Sequence, residues 1–339
     1  MSLRRGLFLA VAAALVAAPG ETAAQPPAKA VRIGLLCAVS CLDPPLESSA
    51  SGKALVQALR DLGYVEGERV IFDFRGAGVR YGRLSRVARE LVERKVDLIL
   101  VAEGSAAARA AQQVTRTIPI VLVGVPDAVE LGLVASLARP GGNVTGITLP
   151  FTELAGKQLE FVKEAVPGLT RVAVLSNPDN PDHGPAVRGL ESAARSVRVQ
   201  LEVLKARGHA DFEAAFSAMT RARAGAVLVL PDPVLFGGGQ ITSLAIRYRV
   251  PAVSPGNSAG PGRADFAARG GLMTYGPSGP EMYRRAAVFV DRIVKGTKPD
   301  ELPVEQPSRY ELVINMSTAR ALGLAIPESL ILRAERVIR

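Results

Sequence analysis

Tryptophan is absent from this chain of 339 residues, histidine and cysteine occur twice each, and aromatic residues make up only 5%. Each scarcity excludes something. His183 and His209 stand far apart without a cluster of further ligands around them, so a metal centre is not expected, and no cofactor is either. Cys37 and Cys41 are four apart at the end of the first predicted strand. A short disulfide and two separate thiols both remain open there. A phosphate loop ending in Gly-Lys-Ser or Gly-Lys-Thr is also missing. The run Gly76-Ala77-Gly78-Val79-Arg80-Tyr81-Gly82 misses a dinucleotide glycine pattern by one residue and follows the second predicted strand rather than the first, so it reads as a loop. Ser105 lacks the flanking glycines of a hydrolase nucleophile elbow. Without a nucleophile and base or a metal set, no enzyme is expected.

Long apolar runs are scarce as well. The single candidate, Gly6 to Ala18, is shorter than the roughly 20 residues that a membrane span needs. It follows Arg4 and Arg5 and precedes the small residues Thr22-Ala23-Ala24. That order predicts a signal peptide over residues 1–24, export, and a periplasmic location. No cysteine directly follows the run, so a lipid anchor is not expected. Net charge is +9 overall, and the leader carries Arg4, Arg5 and Glu21, a net +1, which leaves +8 on the rest. The arginines are spread singly along helical patterns rather than gathered on one element with aromatics between them. This describes a solvated basic surface and argues against nucleic acid.

What the chain has in quantity is hydrophobic sequence, 48% of it, arranged in alternating short β-branched runs and helical patterns. Strands are predicted at Val31 to Leu36, Arg69 to Phe74, Asp97 to Val101 and Ile118 to Val123. A second set follows at Arg171 to Leu175, Leu201 to Leu204, Ala226 to Leu230 and Pro251 to Ser254. Between the sets, Val129, Leu133, Val134 and Leu137 fit a helix face with Asp127 as its N-cap and Pro140-Gly141-Gly142-Asn143 as its stop. Gly271 to Tyr275 reads as a further strand and Met282 to Ile293 as a long helix. Short extended pieces follow at Pro303 to Pro307 and Leu312 to Asn315, with a last helix near Thr318 to Leu322. Two similar series in one chain of this length give an α/β protein of two doubly wound parallel-sheet lobes.

The phrase SLARPGGNVTG after a buried strand resembles the tryptophan/tyrosine-type substrate-binding proteins of bacterial ABC transporters. LRDLGYVEGERV, GKQLEFVKEAVPGLTRVAVLSNPDNP, VLVLPDP and GGLMTYGPSGPEMYRRAAVFVDRIVKGTKPDELPVEQPSRYELVIN carry the same resemblance in the same order. It implies a type I periplasmic binding fold whose chain re-crosses between lobes to make a multi-strand hinge. The expected division is 25–149 with 277–310 in one lobe and 150–276 with 311–339 in the other. It further implies a monomer that captures a small ligand, an amino acid and in particular an aromatic one, and delivers it to an inner-membrane ABC permease. A secreted enzyme or a ligand-sensing receptor domain using the same cleft is the alternative.

Ligands of open parallel sheets bind outside the carboxyl ends of the strands. That rule selects Ser40 after the first strand and Gly104 with Ser105 after the third, where helix-start amides suit a ligand carboxylate. It also selects Asp127 and Asp232 as partners for an ammonium, and Asn177 and Asn257 as hydrogen-bonding residues. Each has a plainer reading as a cap or an Asx-turn. Phe236 and Tyr275 are candidates for an aromatic wall, with core packing as their plainer role.

Overall fold

The computed structural model describes residues 30–38, 46–78, 80–102, 104–236, 239–257 and 266–339. The leader, Ser40, Cys41 and the side chain of Asn257 lie outside what is described. Cys37 is disulfide-bonded.

The first lobe alternates β1 (Val31–Cys37), α1 (Ala50–Asp61), β2 (Val70–Gly76), α2 (Leu84–Glu93), β3 (Leu98–Ala102), α3 (Ser105–Val114), β4 (Ile120–Pro126) and β5 (Val144–Leu149). Its sheet is parallel in the order β2-β1-β3-β4-β5. β3 shows why such runs become central strands. Its residues are buried on both faces, with Leu98, Leu100 and Ala102 in one core and Ile99 and Val101 in the other. That is the two-residue alternation of a strand sandwiched between helix layers.

The second lobe repeats the layout with α4 (Phe151–Ala165), β6 (Arg171–Ser176), α5 (His183–Val197), β7 (Gln200–Lys205), α6 (His209–Arg221) and β8 (Ala226–Val229). It continues with α7 (Pro233–Phe236), α8 (Gln240–Arg247), β9 (Ala252–Asn257) and β10 (Met273–Ser278). The order β7-β6-β8-β9-β10 is the first sheet's order over again. Then come α9 (Gly279–Val294), β11 (Tyr310–Asn315), α10 (Met316–Ala321), α11 (Glu328–Leu332) and β12 (Arg336–Ile338). β11 joins antiparallel beside β10, and β12 closes that edge parallel to β11.

The helix that follows the fifth strand of each series is exchanged between lobes. α4 leaves the first sheet and packs Ala155, Leu159 and Val162 into the second lobe's core beside Leu190 of α5. α9 makes the reverse journey and packs Tyr283, Ala286 and Val290 beside Leu55 and Leu59 of α1. A third crossing follows Glu305, which pairs with the first sheet's edge. Its N–H donates to Gly146 O at 2.8 Å and its carbonyl accepts from Thr148 N at 2.9 Å. The chain then enters β11 of the second sheet.

In the central stretch one sequence expectation fails and one strand was not predicted. Residues 127–142 form turns, not a helix. Asp127 has φ +37 and Gly132 φ +67, and the carbonyls of Leu131 and Leu133 accept from Arg109 and Gln112 of α3 instead of from a following helical turn. Leu133 and Val134 are nevertheless buried, so the apolar spacing was real but marked a packed loop. β5 lacks a predicted counterpart because its sequence VTGITL is interrupted by Gly146, whose φ is +122. A Cβ there would lie 2.3 Å from Leu122 O.

Candidate functional site

Between the lobes lies a cavity of about 170 Å³. Its first-lobe side is made by Tyr81, Gly104 and the end of β4 at Val123, Gly124 and Pro126. The second lobe supplies Phe151, Leu154 and Gln158 of α4, the turn before α5, and Pro231, Asp232 and Phe236. Pro277, Met282 and Tyr283 line the side of the β10 to α9 crossing. Most of these groups are apolar. Three aspartates, Asp127, Asp182 and Asp232, line the cavity, and no lysine or arginine does so among the described residues.

The N-terminus of α3 is where the expected anion seat lies, and a carboxylate is in it. Gly104 takes φ +93 to bring the chain from β3 into the helix, close enough to the opposite lobe that a Cβ would stand 2.8 Å from Asp182 Oδ2. Ser105 N donates to Asp182 Oδ2 at 2.9 Å, and Ser105 Oγ makes a short hydrogen bond to Asp182 Oδ1. Ser105 is 1% exposed. The first amide and the partial positive charge of a helix start thus act on an acidic residue of the same protein.

Asp232 is 2% exposed and surrounded by donors. Its oxygens accept from Asn177 Nδ2 at 3.3 Å, Asn180 Nδ2 at 2.9 Å, Val234 N at 2.8 Å, Leu235 N at 3.2 Å and, from the other lobe, Tyr81 Oη at 2.9 Å. It caps α7 and ties the two lobes together; its acceptor positions are already taken. Asn177 is enclosed beneath it, with Oδ1 accepting from Asp179 N at 3.0 Å in an Asx-turn, and it does not line the cavity. Asp127 does line it, but its Oδ1 accepts from Phe151 N at 3.1 Å. It therefore caps α4 across the first crossing rather than a helix following itself. Phe236 lines the cavity and packs on Phe266 with ring centroids 5.4 Å apart. Tyr275 does not line it: its partly buried ring packs on Phe161 at 4.9 Å and on Tyr310 at 6.0 Å, against the second lobe's core. Ser40 and the side chain of Asn257 fall outside the described residues.

Sequence reasoning selected the loop Asn177-Pro178-Asp179-Asn180, which contains Asn180, but missed Tyr81, Gln158, Asp182 and His183. The last two lie just past that loop, where the following helix begins. His183 is 2% exposed. Its Nδ1 accepts from Asn177 N at 2.8 Å while Nε2 lies 3.2 Å from Pro231 O, which makes Nε2 the protonated nitrogen. Burial pushes its pKa below the ordinary value, against the opposing pull of the Asp232 charge. Among the described residues no group of three or more His, Cys, Asp or Glu is placed to hold a metal, and no helix is long and apolar enough to cross a membrane.

Residues 41–338 match the family of ABC transporter substrate binding proteins. A tyrosine-binding protein of Clostridioides difficile is 26% identical over 282 residues, 83% of this chain and 78% of that one. A conserved domain protein from Vibrio cholerae superposes with a TM-score of 0.79 at 26% identity, covering 91% of this chain and all of that one. An ABC domain from Streptococcus pneumonia in complex with L-Trp gives 0.79 at 23% identity with the same coverage. A leucine-binding protein of Thermotoga maritima shares the fold at 15% identity, with a TM-score of 0.54 over 79% of this chain and 77% of that one. This chain therefore belongs to the ABC transporter substrate-binding proteins, with their type I periplasmic binding fold.

Proposed function

We propose that this protein captures an α-amino acid with an aromatic side chain between its lobes, in the bacterial periplasm, and delivers it as a monomer to an inner-membrane permease. The observation that carries the reading is the Asp182 carboxylate on the start of α3. It marks the first-lobe seat as one shaped for a carboxylate. A ligand carboxylate exchanges with it, taking the Ser105 N–H and hydroxyl. The displaced Asp182 then lies next to the ligand's α-carbon, within reach of its ammonium, where a charge-assisted hydrogen bond replaces the one given up. Three aspartates line the cavity, no lysine or arginine does so among the described residues, and burial holds the lining His183 toward its neutral form; the helix start is then what offsets ligand negative charge, so a zwitterion fits and a dicarboxylate does not. The walls from Phe151, Leu154, Phe236 and Met282 suit an apolar ring. The tyrosine-binding relative and the L-Trp complex support the same class. Contacts made in both lobes at once supply the energy for closing about the three crossings.

A thermal-shift comparison tests this on protein beginning at Gln25. Tyrosine and tryptophan should raise the melting temperature, since a ligand that binds only the folded state stabilises it by mass action. Glutamate and succinate should not. A shift with the dicarboxylates alone contradicts the reading.

A further inference from the structure

Gln158 sits in the wall of the cavity with a polar atom that the protein leaves unanswered. The residue is 4% exposed. Its Nε2 donates to Tyr275 O at 3.1 Å, which fixes which end of the amide is which. Its Oε1 is buried and accepts no hydrogen bond. Among the described residues the other such buried side-chain atom is Arg75 Nε, which still lies 3.1 Å from a Glu90 oxygen. A buried acceptor without a donor costs about 1–3 kcal/mol, and native proteins keep few of them. Its place in the helix suggests what answers it. Phe151, Leu154 and Gln158 are spaced three and then four apart, so they share one face of α4, and all three line the cavity. Asp127 caps the first residue of that helix. At 1.5 Å per residue, Gln158 stands roughly 10 Å further along, beyond two apolar side chains.

We propose that Gln158 Oε1 is a specificity-determining acceptor for a hydrogen-bond donor at the far end of the ligand's side chain, the phenol O–H of tyrosine or the indole N–H of tryptophan. This rests on the aromatic amino-acid reading and sharpens it. Phenylalanine fills the same apolar space and leaves the acceptor unpaired. Sites built to bond a substrate O–H or N–H reject analogues that lack it far more strongly than apolar pockets reject a missing methylene.

Calorimetric titration of the wild type and of Gln158→Met, which keeps the side chain's length and apolar body, provides the test. The wild type should prefer tyrosine or tryptophan to phenylalanine by about tenfold or more, and Gln158→Met should bring that ratio within about twofold while phenylalanine affinity holds. Retained phenylalanine binding shows that the cleft is intact. If the variant does not fold, the wild type alone decides with 1-methyltryptophan, whose indole has no N–H. Weaker binding than tryptophan supports the assignment, and equal binding overturns it. An unchanged ratio in Gln158→Met overturns the Gln158 assignment while leaving the amino-acid reading in place, whereas no heat with any of the three amino acids in the wild type overturns both.

Discussion

Asp232 shows how a residue picked from sequence for one role is held in another. It is an acidic group after a strand end, as a partner for a ligand ammonium should be. Yet five donors from Tyr81, Asn177, Asn180 and the start of α7 converge on its carboxylate. Asp232→Ala orphans those groups in a buried setting, and the folded state should lose about 3 kcal/mol or more, since each unsatisfied buried group costs about 1–3. Denaturant unfolding reads this; a variant as stable as the wild type would remove Asp232 from its structural role. His183 beside it makes stability depend on pH. Its pKa is lowered by burial, so the unfolded chain binds the proton more readily than the folded one. The neutral imidazole's contribution is therefore complete above the ordinary value of about 6.5 and is lost as pH falls below that through the folded value. Protonation also removes the lone pair that accepts Asn177 N. Urea midpoints should fall between pH 7.5 and pH 5.5, and His183→Gln should flatten that dependence. A midpoint drop of the same size in the variant would assign the effect to other groups.

At the scale of elements, strands with unbroken apolar runs such as β3 and β8 could be read directly, because burial on both faces leaves no room for polar alternation. β5 could not. Thr145, Gly146 and Thr148 give it no such run, and it is a strand because Glu305 and β4 pair on its two sides. Gly146 is the position where this matters. A Cβ would meet Leu122 O at 2.3 Å and Leu122 N at 2.5 Å, at φ +122. Gly146→Ala should therefore destabilise the protein by about 3 kcal/mol through backbone strain and overpacking together. A melting temperature within a degree or two of wild type would show that β4 and β5 can separate freely. The mistaken helix over 129–137 has the same origin. Spacing reports which residues are buried, not whether the backbone between them is helical. Here the positive φ of Gly132 turns the chain, and side chains of α3 take the carbonyls of Leu131 and Leu133 that a helix would have used. The site divided similarly. Loops after strands drew attention to Gly104, Ser105, Asp127 and Asp232, because strand ends are where helix starts converge. Gln158 lies in mid-helix and Asp182 belongs to the opposite lobe. Only the exchanged position of α4 and the approach of the two lobes bring them to the cavity.

The whole molecule is two copies of one layout that trade their last helices, so a cleft with walls from both copies follows from the topology itself. Three hydrogen-bonded links across it, Ser105 to Asp182, Tyr81 to Asp232 and Asp127 to Phe151, describe lobes drawn together. In the proposed binding mode the first of these exchanges with the ligand and the other two belong to the frame. The measurement that tests this most directly is calorimetric titration of the chain from Gln25 onward with L-tyrosine and, separately, with tyramine, the same molecule without its carboxylate. Tyrosine should bind saturably at 1:1 and tyramine more weakly by about tenfold or more, given roughly 1.5–3 kcal/mol for hydrogen bonds to a charged group. No heat with tyrosine, or tyramine bound equally well, would contradict that binding mode.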